Sequence, residues 1–130
     1  MANVLEGLRY SNTHEWVKVE GSTAVIGITD FAQGELSDIV MIELPQSGRE
    51  VKAGDSIGVI EAVKAVSDFY SPVSGKITEV NSVLSSAPET VNKDAYGAGW
   101  IVKLELTNQS EIDSLMDAKS YGEFILTAGH

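Results

Sequence analysis

Cysteine is absent from the sequence, which excludes disulfides and thiolate metal sites and fits a reducing compartment. Histidine is scarce: only His14 and the terminal His130 occur, and a lone imidazole without partners supplies no metal centre. His14-Glu15 is not followed by a second histidine at helical spacing, so there is no zinc-protease motif. A Ser–His–Asp triad would have to use His14, and nothing resembles the strained nucleophile turn of a hydrolase. Basic residues number nine against nineteen acids, for a net charge of −10. That balance argues against nucleic acid and anionic membranes, which would repel the chain. It fits docking to basic patches on partner proteins, and plain solubility accounts for it equally well. No apolar run approaches the roughly 18 residues that span a bilayer. The opening MANVLEGLRY has an acid and no apolar signal core, and it is no arginine-rich transit peptide. The expected location is the cytoplasm of a bacterium, or the mitochondrial matrix if a leader has been removed.

Phosphate-binding and acid–base signals are equally thin. Gly97-Ala98-Gly99 lacks a third glycine and leads into a strand rather than a helix, so it reads as a turn beside Trp100. Glu35, Asp38, Glu61 and Asp68 are four of nineteen acids, and chance proximity is the stronger account of any pair among them. Without a cofactor the polypeptide does not read as an enzyme.

What is present is globular usage, 43% hydrophobic and 22% charged, in a length that suits one domain over residues 1–130. Short strands dominate the pattern. His14–Glu20 and Thr23–Thr29 read as a hairpin about Glu20-Gly21-Ser22. Asp30–Leu36 reads as a short helix with Asp30 and Gln33 in capping-box spacing. Val40–Leu44, Asp55–Ala62, Ala65–Tyr70, Lys76–Val80 and Trp100–Leu106 read as further strands, with Ser71–Gly75 as a turn. Ser86-Ala87-Pro88-Glu89 predicts a helix capped by Ser86. A helical stretch starts at Ser110, with Ile112, Leu115 and Met116 at helical spacing, and Ser120 with Glu123 forms a second capping box ahead of Phe124 and Ile125. The expected architecture is a mainly β flattened barrel or sandwich, core about 14–106, with a helical extension at about 110–126. Gly48-Arg49-Glu50-Val51 and Gly75-Lys76-Ile77-Thr78 echo one another, an echo that marks either two related halves or a coincidence. For Trp16 and Trp100, core packing is the expected role.

One lysine stands out by its place. Glu61-Ala62-Val63-Lys64-Ala65 sets Val63 and Lys64 as the connection between two strand-like segments. Tight hairpins favour Asn-Gly or Gly-X there, because those residues accept positive φ. A β-branched valine resists it, so a different turn is expected, with α-region residues at its tip. A locally disfavoured choice in a well-patterned chain is where functional demand is expected. Gly54-Asp55 leads into this region and Gly58 sits mid-strand. Asp68 follows the lysine by four, and Ser71-Pro72-Val73-Ser74-Gly75 closes it.

The run GDSIGVIEAVKAVSDFYSPVSGKITEVN resembles the attachment region of lipoyl-carrying domains, and in detail that of the glycine cleavage system H-protein family. There the lysine of E-[AS]-V-K-A bears lipoate through an amide. The likeness extends through Tyr10, His14-Glu15-Trp16-Val17, Gly27-Ile28-Thr29-Asp30-Phe31-Ala32-Gln33, Val91-Asn92, Tyr96-Gly97, Gly99-Trp100 and the helical ending. Biotin carriers usually place methionines around the lysine, and the lipoyl domains of 2-oxo acid dehydrogenases usually carry Asp-Lys-Ala within a longer chain. Val63 and Ala65 favour neither.

The resemblance implies a barrel-sandwich hybrid with lipoate on Lys64, and Glu61, Val63 and Ala65 shaping the turn that lipoylating enzymes read. Glu15, Asp30 and Asp68 are implied as contacts of the loaded arm, and Gly58 and Gly75 as backbone positions. The implied role is to carry the aminomethyl group of glycine. The group passes from a pyridoxal-phosphate glycine decarboxylase to a tetrahydrofolate-dependent aminomethyltransferase, and dihydrolipoamide dehydrogenase reoxidises the dithiol. A lipoyl donor or scaffold for other complexes, and an acidic binding module with Lys64 unmodified, stay open as alternatives.

Overall fold

The computed structural model describes residues 3–127, so His130 lies outside the described residues. Nine strands form two antiparallel sheets. The larger has the order β1 (Arg9–Tyr10), β2 (Glu15–Glu20), β3 (Thr23–Ile28), β9 (Val102–Leu106), β8 (Gly75–Val80), β5 (Glu50–Val51). The smaller has the order β4 (Ile39–Glu43), β6 (Ser56–Ala62), β7 (Val66–Tyr70). This is the mainly β sandwich that the pattern of short strands predicts.

Alternation along the strands builds the core between the sheets. Val17, Ala24, Ile26, Ile77 and Leu104 from the larger sheet pack with Ile42, Ile60 and Phe69 from the smaller. Burying such side chains contributes about 1.5–3 kcal/mol each relative to exposure. A second apolar cluster covers the outer side of the larger sheet, where Trp16 and Val25 meet Tyr10, Ala118 and Tyr121. Trp16 is buried and donates its indole N–H to the Ala95 carbonyl at 2.9 Å, which supports the packing role expected for it. Trp100 is half-buried beside that cluster, with the Lys103 ammonium 4.9 Å from its ring centroid.

The helices differ from the sequence reading in their caps. Helix α1 (Asp30–Leu36) has the expected span, but its cap is Thr29, whose hydroxyl accepts from Ala32 N. Thr29 is fixed in place because its hydroxyl also bonds the Tyr121 hydroxyl at 2.7 Å. Asp30 instead accepts from the Gln33 side chain at 2.8 Å and from Asn3 N at 2.7 Å. Ser86 caps nothing: it ends α2 (Val83–Ser86), and its hydroxyl turns back to the Val83 carbonyl. The next helix, α3 (Thr90–Lys93), starts only after Pro88. Each of these two short helices seats one apolar residue in the core, Leu84 and Val91.

The stretch after Ser110 is not α-helical either. A 3-10 helix spans Gln109–Ser114, and Leu115 and Met116 leave it. Met116 pairs with Tyr10 through two backbone hydrogen bonds of 2.8 and 2.9 Å, a long-range contact that overrides local spacing. Helix α4 (Ala118–Thr127) is capped by Asp117, which accepts from Ser120 N at 2.8 Å, so Ser120 lies inside the helix.

The echoed segments meet. β5 pairs antiparallel with β8, with Glu50 opposite Lys76 and Val51 opposite Gly75. Gly75 and Gly58 are both close-approach positions. A Cβ on Gly58 would stand 2.6 Å from the Glu43 carbonyl oxygen, and one on Gly75 would collide with the Glu105 carbonyl. Gly75→Ala is therefore expected to destabilise the fold by about 1–3 kcal/mol through forced backbone displacement, measured as a lower urea midpoint at unchanged m-value.

Candidate functional site

Lys64 stands at the open end of the β6–β7 hairpin. The connection is three residues, Val63, Lys64 and Ala65, rather than the two expected, because β7 starts at Val66. Among the described residues the only non-glycine positive φ values belong to His14 and Ser37. The tip therefore avoids the left-handed geometry that Val63 would resist. Two backbone bonds fix it: Ala62 N donates to the Ala65 carbonyl at 2.8 Å, and Val63 N donates to the Asp38 carbonyl at 3.0 Å. Asp38 immediately precedes β4, so the tip is tied to the neighbouring strand as well as to itself. Val63, Lys64, Ala65 and Val66 are all exposed. Lys64 takes no part in either of the two salt bridges among the described residues.

Of the other candidates, Glu61 and Asp68 share the hairpin. Glu61 lies opposite Val66 and Met41, and Asp68 opposite Val59. Asp68 is exposed and accepts from the Ser56 and Tyr70 hydroxyls at 3.4 Å each. Asp30 is separate, held at the start of α1 by the bonds already described.

Glu15 lies elsewhere, at the far end of β7 from the lysine. Its carboxylate accepts from the Tyr70 backbone N–H, six residues along from Lys64 and thus roughly 20 Å away in extended chain. It is only 1% exposed. Ser11 Oγ donates to it at 2.6 Å, and Thr13 Oγ1 bonds it as well. Burial pushes its pKa up to about 7, against the opposing pull of the Ser11 and Thr13 hydroxyls. Ser11, Thr13 and Tyr70 also line a surface cleft of about 510 Å³, closed on the other side by Tyr10, Met116 and Phe124. Beside it, His14 Nδ1 bonds the Tyr121 hydroxyl at 2.8 Å, and burial holds the imidazole below its usual pKa against the opposing charge of Glu35. Among the described residues no group of His, Cys, Asp and Glu could hold a metal ion.

The family model described as glycine cleavage H-protein matches residues 8–128. The chain belongs to the glycine cleavage H-protein family. A glycine cleavage system H protein of Symbiobacterium thermophilum is 55% identical over 95% of this chain and 97% of its own length. One from Carboxydothermus hydrogenoformans is 51% identical over 99% of both. The crystal structure of a glycine cleavage system H protein from Mycobacterium marinum superposes with a TM-score of 0.84 at 35% identity, over 92% of this chain and 97% of that one. The likeness of sequence and that of fold run over nearly the same length.

Sequence reasoning missed the wall of hydroxyls around Glu15. Its signal was available, since Ser11 and Thr13 alternate with the acid on the approach to β2 and so reach the same side. The Tyr70 N–H and the Tyr121 hydroxyl gave no such signal, because only the sandwich brings them there.

The raised pKa has a consequence for stability. Below the ordinary value of 4.5 the Glu15 carboxyl is neutral in both folded and unfolded chains; as pH rises towards about 7 the unfolded chain ionises while the folded one resists. Stability contributed by this group is thus present at low pH and lost across that window, by about 3 kcal/mol. Glu15→Gln is expected to remove this fall, so that urea unfolding at pH 5 and pH 7.5 differs less in the variant than in the parent.

Proposed function

We propose that the chain is the lipoyl-lysine carrier of the glycine cleavage system, with Lys64 as the modified residue and residues 1–130 acting as one carrier domain rather than as an enzyme. The observation that carries this reading is an exposed, unpaired lysine at the end of a hairpin whose base is fixed by backbone bonds. Those surroundings fit the group. The ε-amine is open to an acylating enzyme, and the flanking Val63 and Ala65 leave room around it. Lipoate in amide linkage there would supply a dithiolane whose sulfurs accept and release a carried group.

The chain's own part is to present and to orient. The hairpin holds Lys64 clear of the body, and tethering raises the local concentration of whatever it bears. Glu61, three residues before the lysine and on the adjoining strand, is the feature that a lipoylating enzyme reads together with Val63 and Ala65. Asp68 on the hairpin, and Glu15 beneath the cleft of Ser11, Thr13 and Tyr70, are the acids for a loaded amine. The partners are a pyridoxal-phosphate glycine decarboxylase, which loads the aminomethyl group, and a tetrahydrofolate-dependent aminomethyltransferase, which receives it. Dihydrolipoamide dehydrogenase restores the disulfide. The place of work is the cytoplasm. No helix among the described residues is long and apolar enough to cross a membrane.

Intact mass with peptide fragmentation, on protein from a lipoylating host, is expected to show one lipoyl group on Lys64 that disappears in Lys64→Ala. An unmodified Lys64, in cells that lipoylate their other carriers, would favour an acidic binding module. Lipoylated chain that fails to serve purified glycine decarboxylase would favour a lipoyl donor for other complexes. Glu61→Ala is expected to slow lipoylation several-fold in a ligase assay while leaving the thermal midpoint within a few degrees of the parent.

A further inference from the structure

The outer face of the three-stranded sheet is uncovered and patterned. Strand pairing sets Met41, Glu61 and Val66 in one row and Glu43, Val59 and Asp68 in the next. Residues paired across an antiparallel sheet share a face, as do residues two apart on one strand. The six therefore form a checkerboard in which every carboxylate has apolar neighbours beside it. Met41 and Val66 are 47% and 68% exposed, Glu43 and Asp68 are exposed, and Val59 and Glu61 are half-buried. None of the three acids joins either salt bridge among the described residues. Arg49 lies beyond the far end of the face, where its guanidinium reaches the Ser56 carbonyl at 3.5 Å. Lys64 stands at the near end.

Large apolar side chains exposed together mark interaction sites. The alternation with acids says what kind of surface covers them: an apolar floor set with lysine or arginine side chains. Charge placed this way steers encounter and fixes register more than it adds affinity. The carrier reading, on which this inference rests, includes a partner with that chemistry. An enzyme that binds the carboxylate of glycine beside the phosphate of its cofactor handles two anions in one site, and needs basic side chains at its mouth. We propose that the outer face of β4, β6 and β7 is the docking surface for the pyridoxal-phosphate glycine decarboxylase. Docking there sets the register in which Lys64 faces the active-site mouth.

The test is a calorimetric titration of glycine decarboxylase with chain whose Lys64 is unmodified, so its outcome does not depend on whether lipoate is found on Lys64. Glu43→Arg is expected to weaken binding by roughly tenfold or more, because it sets like charges together. Met41→Asn is expected to weaken it several-fold. Glu105→Arg, the same charge change at an exposed position on β9 of the other sheet, is expected to leave binding within about twofold of the parent. Parent binding should also weaken as salt rises. All three side chains are exposed, and thermal unfolding of each variant verifies that its fold is kept. The proposal is overturned if Glu43→Arg and Met41→Asn bind like the parent, or if Glu105→Arg loses as much as Glu43→Arg, since net charge alone would then be responsible.

Discussion

A three-stranded sheet cannot hold itself together in water, and this is the constraint on which the rest of the molecule depends. β4, β6 and β7 exist as a sheet because Ile42, Ile60 and Phe69 are pressed against the larger sheet's Ile26, Ile77 and Leu104. That contact fixes which face of the hairpin is inward, and a slip of one residue would reverse it. With the face fixed, the hairpin end projects from the body and Lys64 comes to its tip. The same contact brings the end of β7 to Glu15, where a sealed carboxyl meets a strand N–H that has no neighbouring strand to pair with.

The two glycines at the seams follow from this closeness. Gly58 lets β6 lie against the Glu43 carbonyl, and Gly75 lets β8 lie against that of Glu105. Ser71 serves the turn between the sheets: its hydroxyl donates to the Val73 carbonyl at 2.6 Å, and Val73 is buried in the core. The chain leaves one sheet and joins the other within four residues, with no buried side-chain polar atom lacking a partner among the described residues.

The strands were legible from alternation and punctuation, and so was Lys64, because a short motif sits in a region of strong pattern. Helix starts were less legible. Thr29, Asp117 and Asn108 are the true caps, each one to three residues before the residue that spacing favoured. A capping-box pattern records which side chains are able to cap; packing decides which does. Thr29 prevails over Asp30 because the Tyr121 hydroxyl, 92 residues away, holds it. The 3-10 helix before Leu115 has the same origin, since Tyr10 draws Met116 into a backbone pair. The cleft around Glu15 was the least legible feature, being assembled from β2, β7 and the C-terminal segment, which meet only in the fold.

The bond from Val63 N to the Asp38 carbonyl reaches beyond local geometry. A loop that flexed would add its own sweep to that of any group it bears and dilute that group over a larger volume. A tip pinned to the neighbouring strand acts instead as a fixed pivot. The space that a lysine adduct searches is then set by the rotatable bonds outward from Cα, and its effective concentration at any point depends on that length alone. Reach becomes a property of the adduct's chemistry, and direction a property of the protein.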